Sequence, residues 1–106
     1  QVGCGGEDNS GNPSAYHECL YFDTSNPSQL HYKGSSSSYS NTTLTNVYVD
    51  AWQNGTNNGA TSVPGNLAPG QTIYTPWEPQ YNGGDAWCVA LQKSPSNDLI
   101  SVYCYS

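Results

Sequence analysis

Three carboxylates in the second half of the chain stand beside tryptophans: Asp50 near Trp52, Glu78 after Trp77, and Asp85 ahead of Trp87. Glycoside hydrolysis needs two carboxyl groups about 5–10 Å apart across a sugar cleft, one as acid and one as base or nucleophile. A small polysaccharide hydrolase would be built from these three. Eight carboxylates in so short a chain also produce accidental pairs, and a solvated acidic rim accounts for them equally well. A second constellation asks for less chemistry. Tyr74, Trp77 and Tyr81 cluster in a loop bracketed by Pro76 and Pro79, with Gln80, Asn82 and Asp85 alongside. Rigid aromatic faces stack on sugar rings or anchor a protein interface, and amides bind hydroxyls without charge. The opposing reading turns Trp77 inward as a cap on the core.

Nucleophilic catalysis requires a Ser or Cys beside a histidine base that an acid orients. The chain has two histidines, His17 and His31, and no Gly-x-Ser-x-Gly elbow. His31 alternates with Leu30 and Tyr32 and so faces solvent with Lys33; His17 reads as a surface residue near Cys19. A metal would have to draw on His17, Glu18, Asp23 and His31, or on Glu7 and Asp8 with backbone carbonyls, and neither spacing matches a known loop. No metal and no cofactor is expected.

Charge narrows the partners. Lys33 and Lys93 are the only Lys or Arg residues against eight carboxylates, for a formal charge of −6. Nucleic-acid binding, a polybasic membrane anchor and phosphoryl transfer all lean on Lys and Arg, so none fits. No apolar run approaches the ~20 residues of a bilayer span. Gly, Pro, Ser and Asn fill 43 of the 106 positions. Nine Tyr, three Trp and one Phe nevertheless supply the area for a folded core. Four cysteines with separations of 15, 69 and 16 residues lack the close pairs of a zinc site and read as two disulfides in an oxidising compartment. Sequons at Asn41 and Asn54, and a first residue Gln1 of the kind that leader removal exposes, agree with a secreted protein.

The elements that must position these residues are short strands. Leu20–Asp23 and Gln29–Lys33 flank a Thr-Ser-Asn-Pro turn; Thr43–Trp52 and Thr72–Thr75 are β-branched and aromatic. Residues 1–19 read as a loop stapled on itself, and Ser35–Ser38 as a polar tether. The sharpest expectation is a hairpin of Ala86–Leu91 and Leu99–Tyr105 around the loop Ser94–Asp98. Residues whose numbers sum to 192 then lie opposite, so Cys88 faces Cys104 within disulfide reach. Alternation puts Cys88, Ala90, Val102 and Cys104 on one face and Trp87, Val89, Leu91, Tyr103 and Tyr105 on the other, both apolar. Cys4–Cys19 follows by elimination; Cys4–Cys104 with Cys19–Cys88 stays open. No window carries helical spacing. The fold class is all-β: one antiparallel sandwich or barrel domain over 1–106, with 1–40 a stapled segment and 43–106 the core.

Thr45–Trp52, Leu67–Tyr74 and Gly83–Trp87 together resemble the opening strands of thaumatin-like proteins. They are also similar to small fungal secreted proteins related to the blastomyces yeast-phase-specific protein. The resemblance spans residues 43–106 and implies a secreted β-sandwich with antifungal, carbohydrate-binding or host-interaction roles, although thaumatin-like proteins carry many more disulfides. The expectation is a secreted, acidic, monomeric, non-enzymatic binding or effector protein recognising a wall polysaccharide or an extracellular protein. A polysaccharide hydrolase and an inhibitor of an extracellular enzyme are the alternatives.

Overall fold

A computed structural model describes residues 2–23, 31–53, 59–79 and 86–105. Ten strands appear in order: β1 (Gly3–Glu7), β2 (Pro13–Asp23), β3 (His31–Ser38), β4 (Leu44–Gln53), β5 (Gly59–Thr61), β6 (Gly65–Leu67), β7 (Thr72–Tyr74), β8 (Glu78–Pro79), β9 (Trp87–Lys93) and β10 (Leu99–Tyr105). All belong to one antiparallel sheet whose path is β5-β4-β9-β10-β1-β2-β3-β7, with β6 on β4 and β8 on β3. The sheet curls into a half-barrel and carries no helix among the described residues. Of the two all-β forms anticipated, this is the barrel-like one.

Curling gives the sheet an inner and an outer face. Alternation along β4 sends Val47, Val49, Ala51 and Gln53 inward, all fully buried. Leu20, Tyr32, Leu67, Trp87, Val89 and Leu91 complete the core, and the Tyr32 and Trp87 rings lie 3.6 Å apart between centroids. The strands of the N-terminal segment are therefore central: β1, β2 and β3 sit mid-sheet, and Leu20 and Tyr32 are core residues. Gly34 lets β3 approach the far wall, since a Cβ there would stand 2.3 Å from Val89 Cγ2.

The β9–β10 hairpin keeps the expected register, with Cys88 opposite Cys104 and Tyr105 opposite Trp87. The loop spans Ser94–Asp98, and a bulge between Leu99 and Ser101 takes up one residue. The bridges are Cys88–Cys104 and Cys4–Cys19, each with α-carbons 4.1 Å apart as directly opposed strand residues require. Burial on both faces holds for β9, whose Trp87–Leu91 are all buried. In β10 it fails, because Cys104 and Tyr105 are exposed. The Pro69-Gly70 turn ahead of β7 closes with Gln71 N–H donating to Ala68 O at 3.0 Å and Gly70 at φ 78°.

Two expectations are corrected. Residues 1–19 are not a loop; they hold β1 and most of β2, in register from Gly3–Leu20 to Gly5–Glu18. Glycine is a poor strand former, but here it makes room: a Cβ on Gly3 or Gly5 would collide with the Tyr103 ring. Ser35–Ser38 is not a tether either. It is the end of β3, paired with β2 on one side and β7 on the other. Ladder hydrogen bonds on both edges outweigh the low strand preference of serine, and the small side chains fit where Ser35, Ser36 and Ser38 are buried.

Candidate functional site

The outer face of β2, β3, β7 and β8 can be built rung by rung. β2 and β3 pair with residue numbers summing to 54, so Tyr21 faces Lys33, Cys19 faces Ser35 and His17 faces Ser37. Their neighbours Leu20 and Tyr32 point into the core, which fixes these three pairs on the outside. β7 extends two rungs, Tyr74 opposite Ser35 and Thr72 opposite Ser37. Ile73 between them packs inward.

At one end of this face Lys33 lies among three rings. Its Nζ is 4.5 Å from the Tyr74 centroid, 4.6 Å from Trp77 and 5.7 Å from Tyr21. An ammonium over aromatic faces is held by the ring quadrupoles. Tyr21 and Tyr74 stand 6.4 Å apart and tilted. Tyr74 is 50% exposed and Trp77 44%, so Trp77 is no inward cap. Besides the rings and Lys33 the strip offers the Cys4–Cys19 bridge, Ser37 and Thr72, the last two with hydroxyls 3.0 Å apart.

Gln80, Tyr81, Asn82 and Asp85 fall outside the described residues, as does Asn54. Of the aromatic loop, Tyr74 and Trp77 therefore remain, and the structure adds Tyr21 and Lys33. That Lys33 faces outward was readable from alternation. That it meets Tyr74 and Trp77 was not, because β3 and β7 are joined only through the fold.

Of the three carboxylates Asp50 and Glu78 are described, and these two do not converge. Asp50 lies on the outer side of β4, between inward Val49 and Ala51, and accepts from Thr61 Oγ1 at 3.0 Å. Its charge, after desolvation, helps raise the pKa of Tyr48, whose hydroxyl donates to Asn97 Oδ1 at 2.5 Å. Glu78 stands opposite Tyr32 in the β3–β8 pair and so takes the inner side of the sheet. Asp50 and Glu78 thus belong to opposite faces, and no sugar cleft lies between them.

His17 is half-buried on the outer face, its ring 4.5 Å from that of Tyr39. Of Asp23 and His31 only the backbone is described. Among the described residues no group of three His, Cys, Asp or Glu side chains could hold a metal ion. Among the described residues no helix is long and apolar enough to cross a membrane. Asn41 of the first sequon is exposed in the bend after β3. Beside the β1–β10 pair, which is in register at Glu7 and Val102, lies an open groove of about 390 Å³ lined by Gly5, Gly6, Glu7, Val102, Tyr103 and Cys104.

One buried group was missed by sequence reasoning. Glu18 is fully buried on the inner face, where its Oε1 accepts from Ser101 Oγ and Oε2 has no hydrogen-bond partner. Burial pushes its carboxyl up to about 8, against the opposing pull of the Ser101 hydrogen bond. Alternation with Leu20 and Phe22 was the signal that could have placed it inside. Compared with family models, curated proteins and solved structures, the chain matches none.

Proposed function

We propose that this chain is a small extracellular, non-enzymatic binding protein that stacks a neutral polysaccharide on the outer-face platform of Tyr21, Lys33, Tyr74 and Trp77. The observation that carries the reading is the exposure of Tyr74 and Trp77 while Lys33 braces both rings. Rings held open to water cost hydration free energy and are useful when a ligand with an apolar face covers them. A pyranose ring has such a face. The charge of −6 disfavours a polyanionic glycan. Two disulfides in a small domain suit an extracellular setting. The resemblance of residues 43–106 to thaumatin-like secreted proteins points the same way.

Retention on insoluble chitin, β-glucan and cellulose, with reducing sugar measured in the same tubes, tests the reading. Retention without released sugar, lost in Trp77→Ala at unchanged melting temperature, is the expected result. Released sugar would favour a hydrolase, and retention untouched by Trp77→Ala would remove the platform.

A further inference from the structure

The outer face carries a second aromatic pair that the platform does not use. Tyr39, just past β3, is 64% exposed, and its ring stacks on His17 at 4.5 Å with a 44° tilt. His17 lies on the same side of β2 as Tyr21, four residues away. At the rise of an extended strand this separation is about 13 Å. The single rung between carries Cys19, Ser35 and Tyr74, and His17's own rung carries Ser37 and Thr72. No bulky aliphatic side chain interrupts them. The result is a track along one face with an aromatic station at each end, Tyr21–Lys33–Tyr74–Trp77 and His17–Tyr39, and a hydroxyl-bearing floor at the second.

We infer that His17 and Tyr39 form a second saccharide subsite on this track, and that the ligand is a linear oligosaccharide lying along β2 and β3. The inference rests on the platform reading and goes beyond it by fixing the length and direction of the ligand. A single hexose covers one station. Several consecutive pyranose rings are needed to reach from one to the other. Two stations on one rigid sheet also make the second contact intramolecular, so affinity should climb once the chain is long enough to span them. A free end too short to reach gains nothing.

The test is titration calorimetry with soluble cello-, laminari- and chito-oligosaccharides, each series run from disaccharide to hexasaccharide. For the unmodified protein the affinity should rise roughly tenfold between the disaccharide and the longer members, then level off. Tyr39→Ala, at a site too exposed to endanger folding, should abolish that rise and leave disaccharide binding unchanged. His17→Ala should act alike. Trp77→Ala should weaken every member of the series. Affinity independent of length, or a length dependence that survives Tyr39→Ala, overturns the second subsite while leaving the platform in place. Failure of every oligosaccharide to bind, or binding indifferent to Trp77→Ala, overturns the platform and the subsite together.

Discussion

The Ser101 hydroxyl donates to Glu18 across the full width of β1, although β2 and β10 are not neighbours in the sheet. β1 permits this because Gly5, the residue paired with Glu18, has no side chain to stand between them. Ser14 Oγ makes a parallel reach to Ile100 O at 3.3 Å. The glycine-rich strand is thus a floor over which two other strands bond.

Stability should therefore fall as pH rises. The Glu18 carboxyl titrates near 4.5 when unfolded and at about 8 in the fold. Below pH 4.5 both states hold the proton, and its contribution to stability is fully present. Between the two values only the native state holds it, so stability drains away as pH climbs through 8. Lys33 is on the outer face and Lys93 is exposed, so neither neutralises the buried charge. The shift corresponds to several kcal/mol, on the order of 5. Urea unfolding at pH 4, 6 and 9 should show this slope, and Glu18→Gln should remove most of it. A parallel slope in the variant would refute the assignment.

Gly34 and Val89 should behave as a coupled pair. A methyl at Gly34 would stand 2.3 Å from Val89 Cγ2. Gly34→Ala is then expected to cost about 1–3 kcal/mol through overpacking. Val89→Ala removes the clashing methyls at the expense of a cavity. In a double-mutant cycle the two losses should fall short of additive by at least about 0.5 kcal/mol. Additive losses would show that the facing strands relax apart instead.

What could be read from the chain follows the range of the interactions. The Cys88–Cys104 register was legible because a five-residue loop fixes it locally, with no help from the rest of the fold. Gly3–Glu7 and Ser35–Ser38 were misread because their composition belongs to turns and tethers. Their strand character comes from Leu20, Glu18 and Tyr74, which pair with them from elsewhere. The same holds at the platform. Trp77 and Tyr74 could be picked out by type, but Tyr21 joins them only through β2–β3 pairing and Lys33 only through β3–β7. Asp50 and Glu78 looked like partners until the faces they occupy were known.

The two disulfides should contribute nearly equal stability. Their sequence separations are 15 and 16 residues, and each ties neighbouring strands already in register. What each adds is restriction of the unfolded chain, about 3 kcal/mol for a loop of this length. Cys4→Ala/Cys19→Ala and Cys88→Ala/Cys104→Ala should lower the guanidinium midpoint by similar amounts, with the sheet retained. A much larger loss at Cys88, which is buried where Cys4 is exposed, would mean that packing around the sulfur matters more than chain entropy.

Lys33 should matter to the arrangement of the platform more than to its stability. The ammonium contacts three rings, each partly exposed, and such contacts are worth about 0.5–1 kcal/mol at the surface. Lys33→Met keeps the stem and removes the charge, so the melting temperature should move by only a few degrees. Trp77 should respond more. Of the three tryptophans Trp87 is buried and Trp52 half-buried, so added acrylamide quenches chiefly Trp77. Freed from the cation, that ring should be quenched more strongly and its near-ultraviolet dichroism should weaken. Polysaccharide retention should fall with it, since a ring that wanders must be ordered again when the sugar binds. Unchanged quenching together with unchanged retention would mean that Lys33 merely rests on rings the backbone already holds.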